Sequence, residues 1–374
     1  MIINRVCADG YKNLSAIDIK LDNNLNIFCG DNAQGKTNLI ESIWLCTGCK
    51  SFRGTRDKDF IGFDCEQAEI KIDFTDSRRT QQIEFKVNRN NVKDKLVTLN
   101  GVKLTLLSRL FGSLKAVIFT PEDLELSKGS PDNRRLFADM SVSQIKPSYV
   151  AALNKYNNIL SQRNALLKDI SMGRGDPAML DIWDEQLAKS GAYISVLRYT
   201  YCNKLNNYTN RLYDLITDGK ENMQLYYQST IYDTLEGKTD YDGELYNVYL
   251  ERLKKNVSDD IRAGYTLVGV HRDDIITGIN SLRTREFGSQ GQARSVALVM
   301  KLAQAQILRD ETGEAPVILL DDVLSELDRK RQRFILGSIE GMQVLITCCD
   351  DKFISEMTGG KVFYLKEGKI ANHC

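Results

Sequence analysis

The apolar positions of this chain keep two rhythms, and the change between them divides it. Near the N-terminus they alternate. Ile17, Ile19 and Leu21, then Leu25 and Ile27, fall on every second residue, which predicts two strands joined at Asp22-Asn23-Asn24. Residues 68–74 and 81–87 alternate likewise, with Thr75-Asp76-Ser77-Arg78-Arg79-Thr80 as the turn between them. Asn100-Gly101 is a hairpin signal, because both residues tolerate positive φ. These segments predict an antiparallel sheet on the flank of a core. Lys115-Ala116-Val117-Ile118-Phe119 is a buried-strand candidate, broken by Thr120-Pro121-Glu122-Asp123.

Beyond Pro131 the period lengthens. Ser148 to Ile170 carries apolar residues at 149, 153, 156, 160, 167 and 170. Ala178 to Ile216 continues the spacing of three and four, a coiled-coil-like seam. Gly173-Arg174-Gly175-Asp176-Pro177 reads as the turn between them. Residues 148–170 and 178–216 therefore predict an antiparallel helical hairpin with arms of roughly 35 and 58 Å. From Tyr265 the β-like texture returns. Residues 292–309 predict a helix, Pro316–Leu320 and Gln343–Thr347 two apolar strands, and 361–370 a hairpin around Glu367-Gly368. The expected organisation is a split α/β lobe, 1–130 plus 257–374, with a helical lobe, 131–256, inserted between its halves.

One stretch gives this pattern a chemistry. Gly30-Asp31-Asn32-Ala33-Gln34-Gly35-Lys36-Thr37 reads G-x-x-x-x-G-K-T, preceded by a short apolar strand and followed by apolar residues at helical spacing. Two glycines let the backbone fold around an anion, and the helix adds its positive N-terminal dipole. Lys36 can reach the β- and γ-phosphates and the Thr37 hydroxyl can ligate Mg²⁺. Downstream, an apolar strand ends in Asp321-Asp322, where an α/β sheet places catalytic groups. Asp321 is the expected Mg²⁺ carboxylate and Asp322 the group that orients or deprotonates water. Ser289-Gln290-Gly291-Gln292 opens the 292–309 helix and reads as a second anion site.

Composition narrows the partners. The chain has 374 residues, 50 Lys plus Arg against 50 Asp plus Glu, so a nucleic acid would need a local basic patch. Lys50, Arg53, Arg56 and Lys58 are weak candidates for one. No apolar run approaches the ~20 residues that span a membrane, and Met1-Ile2-Ile3-Asn4-Arg5 enters a strand pattern rather than a signal peptide. Nine scattered cysteines suit a reducing cytoplasm. Cys46-Thr47-Gly48-Cys49 has metal-ligand spacing but no second pair, so the end of a helix is its plainer reading.

Gly30–Thr37, Ser289–Gln292, Asp321-Asp322 and Ser325-Glu326-Leu327-Asp328 follow the order of ABC-type ATPases. Within that group the chain resembles the RecF family of the SMC-like superfamily. The further matches are Tyr11-Lys12-Asn13-Leu14, Lys50-Ser51-Phe52-Arg53, Phe119–Leu124, Arg134–Asp139 and His271-Arg272-Asp273-Asp274, and they cover essentially the whole chain. The resemblance implies an ATPase head of mixed sheet with an antiparallel flank. It implies ATP with Mg²⁺ as cofactors and an ATP-dependent homodimer, in which the Ser289–Gln292 signature of one subunit caps the γ-phosphate held by the other. It adds Lys12, Asn13 and Asp328 to the nucleotide contacts and Glu122 to Thr37 and Asp321 as metal candidates. It implies binding to DNA at single-strand gaps and recombinase loading with RecO and RecR. Departures from the wider pattern are Asp322 for a catalytic glutamate, Gln290 for a glycine, and Cys349 near the position of the switch histidine. A transporter ATPase would carry that histidine and a compact insert; a chromosome organiser needs far longer arms. A DNA clamp that binds ATP with little hydrolysis remains the alternative. His271, Asp273 and Asp274 read as structural.

Overall fold

The computed structural model describes residues 1–349 and 359–371. In chain order, β1 (Ile2–Asp9), β2 (Ile17–Lys20) and β3 (Leu25–Cys29) precede helix α1 (Lys36–Leu45). Next come β4 (Gln67–Thr75), β5 (Thr80–Asn88), β6 (Asn91–Leu99), β7 (Val102–Lys103) and β8 (Ala116–Phe119). Helices α2 (Glu125–Lys128), α3 (Pro131–Ile145), α4 (Ser148–Ser171) and α5 (Leu180–Thr217) follow. Then come β9 (Met223–Gln228), α6 (Gly243–Ala263), β10 (Asp274–Ile279), β11 (Leu282–Arg283), α7 (Thr284–Phe287) and α8 (Gln290–Thr312). The last described elements are β12 (Val317–Leu320), α9 (Arg329–Ser338), β13 (Val344–Cys348), β14 (Lys361–Lys366) and β15 (Lys369–Ala371).

The chain forms two compact units. One comprises Met1–Asp123 and the residues from Met300 onward, the other Leu124–Val299. The first unit holds two six-stranded sheets. In the antiparallel sheet the order is β2-β1-β4-β5-β6-β7. The alternation of β4 and β5 becomes one face buried and the other partly solvated. In the second sheet, β15-β14-β3-β13-β12-β8, all neighbours are parallel except the β14–β15 hairpin. Strands β8, β12 and β13 are buried at every position, which is why their sequences are unbroken apolar runs.

Residues 1–29 hold three strands where alternation predicted two. β2 pairs with β1 in the antiparallel sheet, whereas β3 joins the parallel one, so Asp22–Asn24 is a crossing between sheets. The buried Gln343 amide fastens that crossing. Its Oε1 accepts from Ile3 N at 2.7 Å and its Nε2 donates to Ile3 O and Asp22 O, each at 2.8 Å.

In the second unit, α4 and α5 run antiparallel, since Ser148 meets Tyr193 while Arg163 meets Asp184. Their 24 and 38 residues give arms of about 36 and 57 Å. Arg163 is fully buried and binds Asp184 on α5 at 2.6 Å and Asp260 on α6 at 2.7 Å. Residues 257–299, assigned from sequence to the α/β lobe, lie in this unit instead. The β-like texture after Tyr265 is real, but β10 and β11 pair with β9 in a separate three-stranded sheet.

The His271-Arg272-Asp273-Asp274 turn is structural here. Arg134 on α3 binds Asp274 through Nε at 2.8 Å and Nη2 at 2.9 Å. Asp273 accepts from Thr230 N at 2.7 Å and Thr230 Oγ1 at 2.8 Å. His271 Nε2 lies 3.1 Å from Thr266 O, which can only accept, so Nε2 carries the proton. Nδ1 therefore accepts from Tyr156 OH at 2.8 Å, and Tyr156 in turn accepts from Tyr249 OH at 3.1 Å. Burial pushes the imidazole down to about 4. Its charged form thus favours the unfolded chain, and stability present above the ordinary value of 6.5 is lost as pH falls toward 4. The urea midpoint should drop between about pH 7 and pH 5, and the drop should shrink in His271→Gln. Equal drops in both proteins would refute the buried neutral imidazole.

Candidate nucleotide-binding site

Three parallel strands end side by side, with β13 flanked by β3 and β12. The turn after β3 is the glycine-rich loop, β12 runs into Asp321-Asp322, and β13 into Cys349. This is the edge of an α/β sheet where ligands bind. The loop conformation explains its glycines. Gly30 has φ 156°, and a Cβ there would meet Leu365 O at 2.4 Å. Gly35 has φ 106°, and a Cβ would meet Leu14 Cδ2 at 2.9 Å. Ala33 holds φ 65° without that freedom, and its carbonyl accepts from Asn13 Nδ2 at 3.1 Å.

Lys36 is buried, and its ammonium donates to Gly30 O at 2.7 Å and Asp31 O at 2.9 Å. Cys349 Sγ sits 3.2 Å from the same nitrogen and 3.1 Å from Asn32 Oδ1. The lysine is therefore curled over its own loop, ready to exchange carbonyls for stronger anionic acceptors. Thr37 Oγ1 donates to Asp321 Oδ1 at 3.0 Å, joining residues 284 positions apart. Thr347 Oγ1 lies 3.0 Å from the same oxygen and 3.3 Å from Asp322 Oδ1, and it accepts from Asp322 N at 2.8 Å. Asp322 has φ 52°, a left-handed turn directly after Asp321.

Burial pushes the Asp321 carboxyl up to about 6, opposed by the Thr347 and Thr37 hydroxyls and reinforced by Asp322. A buried carboxylate short of positive charge, beside a threonine hydroxyl, suits Mg²⁺. That ion takes few protein ligands and completes its shell with water and phosphate oxygens. The described residues contain no cluster of three or more His, Cys, Asp or Glu able to hold a metal by themselves. Glu122 lies exposed beyond β8; the pinned acid there is its neighbour Asp123, bound to Lys301 at 3.0 Å and accepting from Thr120 N.

Asn13 reaches the loop, whereas Lys12 turns to α1. Asn13 contacts Ala33 O and accepts from Asn38 Nδ2 at 2.7 Å. Lys12 is paired with Glu41, a fully buried carboxylate on α1. Glu41 also accepts from Tyr11 OH at 2.9 Å and Ser51 Oγ at 2.5 Å, tying the basic 50–56 loop to α1. Arg53 donates to Asn38 Oδ1 at 3.0 Å. Sequence reasoning missed Thr347, Glu41 and Asn38. Their partners lie in other elements, and only the apolar strand before Thr347 and the helical spacing around the other two gave any signal. Cys46 and Cys49 are buried at the end of α1, where burial pushes both thiols well up.

The signature lies in the second unit, where it opens α8. Ser289 Oγ accepts from Gln292 N at 3.2 Å while Gln292 Oε1 accepts from Ser289 N at 2.8 Å. That is a reciprocal capping box, so this helix end needs no anion to satisfy those donors. Asp328 likewise caps α9, accepting from Arg331 N at 3.0 Å. Gln290 and Gly291 form the first turn of α8.

A family model described as RecF/RecN/SMC N terminal domain matches residues 2–371. The chain is 39% identical to the DNA replication and repair protein RecF of Clostridium beijerinckii, over all of this chain and 99% of that one. It is 40% identical to the protein of that name from Clostridium tetani, over 96% of each. The chain belongs to the RecF family. A solved structure of the recombination mediator protein RecF with ATP, of the RecFOR pathway, superposes with a TM-score of 0.90 at 34% identity, covering 100% of this chain and 98% of that one. An Smc head from Pyrococcus furiosus shares the fold, with a TM-score of 0.55 at 15% identity. The fold is thus the ABC-type ATPase head of the RecF family, and the family is one of DNA replication and repair proteins. Among the described residues, no helix is long and apolar enough to cross a membrane.

Lys36→Ala should remove nucleotide affinity while leaving circular dichroism unchanged, because the side chain's partners are loop carbonyls rather than core groups. Isothermal titration with ATP checks this, and wild-type affinity would refute the site.

Proposed function

We propose that this chain binds ATP with Mg²⁺ in the Gly30–Thr37 site, pairs with a second copy in the ATP state, and in that state holds DNA at single-strand gaps. With RecO- and RecR-type proteins it would promote recombinase loading in repair and replication restart. One observation carries the reading: the Thr37 hydroxyl stands 3.0 Å from the Asp321 carboxylate, joining the two halves of a phosphate–metal site. Relatives named as replication and repair proteins, and a RecF structure with ATP, support it.

Mg²⁺ would neutralise phosphate charge and fix phosphate orientation, held by Thr37 and Asp321 with Glu122 as a further candidate. Lys36 would leave the Gly30 and Asp31 carbonyls for phosphate oxygens. Asn13 holds the loop through the Ala33 carbonyl, Lys12 would reach the nucleotide from its pairing with Glu41, and Asp328 is a further candidate nucleotide contact. Asp322 would orient the attacking water and take its proton, and Thr347 fixes its backbone N–H. Being one methylene shorter than glutamate, Asp322 would give slow turnover that ends the ATP state. An ATP-gated clamp with little hydrolysis is the second reading, favoured by the contact that Asp322 Oδ1 makes with Thr347. Exposed Lys50, Arg53 and Arg56 remain the candidates for DNA phosphates in a chain with no net charge.

Asp322→Asn should still bind ATP and dimerise, yet hydrolyse about 10²–10⁴-fold more slowly, as expected for a lost general base. Phosphate release with and without DNA measures this; unchanged turnover would assign the water to another group. Ser289→Arg should block ATP-dependent dimerisation by filling the space for a partner's phosphate. Ser289→Asp keeps a good N-cap but adds like charge, and should block it too. Light scattering with ATP, ADP and no nucleotide reads both. A wild type equally dimeric in all three, or variants that dimerise with ATP as it does, would defeat the composite site.

A further inference from the structure

Gln292 faces two ways. Its Oε1 accepts from Ser289 N at 2.8 Å, and its Nε2 donates to Glu221 Oε1 at 2.8 Å. A side-chain amide turned about its last bond exchanges donor for acceptor, and only its partners select the orientation. Ser289 N is a donor, so it needs the oxygen. Glu221, when ionised, is acceptor-only, so it takes the nitrogen. The carboxylate thereby locks the acceptor end onto the signature.

Glu221 is itself fixed on three sides. Its Oε2 accepts from Tyr213 OH at 2.7 Å, and Tyr213 is buried on α5, the longer hairpin arm. Its carbonyl lies 3.5 Å from Thr217 Oγ1 at the end of that arm. The next residue exchanges hydrogen bonds with Asn280 in the β10–β11 turn, Asn222 N donating to Asn280 Oδ1 at 2.9 Å and Asn280 N to Asn222 O at 2.8 Å. An unbroken line of polar contacts thus runs from the base of α5 through Glu221 and Gln292 to Ser289, all within one compact unit.

We propose that Glu221 is a positioning residue for the Ser289–Gln292 signature, orienting the Gln292 amide so that Ser289 is held in place, and that it links the signature to the hairpin arm α5 through Tyr213. The proposal rests on the reading of Ser289–Gln292 as the phosphate-capping half of a composite site. What binds or strains the arm would then be felt at the signature.

The orientation argument separates positioning from simple support of the fold. In Glu221→Gln the oxygen can still accept from Gln292 while the new amide donates to the Tyr213 hydroxyl, which can accept as well as donate. In Glu221→Lys the partner becomes donor-only, so the Gln292 amide must turn and set its NH₂ against the Ser289 N–H. Dimerisation of the full chain is followed by light scattering against protein concentration at saturating ATP, with circular dichroism and monomer ATP affinity as controls. Glu221→Gln should match wild type. Glu221→Ala should need about tenfold more protein to dimerise, the scale of one lost hydrogen bond to a charged group. Glu221→Lys should be weaker still, with ATP affinity of the monomer unchanged. The proposal is overturned if Glu221→Lys dimerises as wild type does, or if Glu221→Gln is as impaired as Glu221→Lys. If wild type dimerises with ATP and Ser289→Asp does not while Glu221→Lys does, only the role of Glu221 falls. If wild type shows no ATP-dependent dimer, the composite site itself falls and takes this role with it.

Discussion

Parallel pairing of β3, β13 and β12 is the constraint on which the first unit depends. Parallel neighbours cannot be joined by tight turns, so each must be reached by a crossover. Here the connection between β3 and β12 includes β4–β7 of the antiparallel sheet and the whole second unit. The reward is that β3, far from the other two in sequence, stops at the same sheet edge as β12 and β13, with Cys29 beside Cys348 and Leu320 beside Ile346. The phosphate loop, the acidic pair and Thr347 meet because of that register. A shift by one residue would turn Asp321 to the opposite face and part it from Thr37.

Charge is handled differently in the two units. At the sheet edge Asp321 is buried with the Thr37 and Thr347 hydroxyls as its partners, and burial disfavours its ionised form. In the helical unit, Arg163 meets Asp184 and Asp260 directly, and Arg198 meets Asp139 at 2.8 Å. Those charges are compensated internally and fix which helices meet, at a desolvation cost that apolar residues would not carry. An uncompensated carboxylate marks a place for a ligand; a compensated set marks a joint.

Much of this was legible in the sequence because it is written in local periods. The phosphate loop, the buried strands and the hairpin arms each depend on residues within a few positions of one another. Two features depend on more than a local period. Ser289-Gln290-Gly291-Gln292 is an S-x-x-Q capping box as well as a family signature, and the two roles use the same residues. Residues 257–299 were grouped by texture, but a strand's sheet is decided by its partner, and β10 found β9 rather than the parallel sheet. Glu41, Thr347 and Glu221 were invisible because a lone polar residue on a helix, at a strand end or in a turn carries no period. Only the packed structure shows what each one touches.

The β14–β15 hairpin also completes the phosphate loop. Glu367 N donates to Gln34 Oε1 at 2.5 Å, Gly368 N to Gln34 O at 3.1 Å, and Ser15 N to Gly368 O at 3.0 Å. A ribosome adding about 5–20 residues per second makes residue 34 well over ten seconds before residue 368. During that interval the loop exists without its lid, and β3 without either of its parallel neighbours. The nascent chain therefore passes through a long stretch of synthesis with its most characteristic motif exposed and unformed. Nucleotide capture then waits on the β14–β15 hairpin rather than on the segment that bears the motif, and strands made late decide when those made early begin to work.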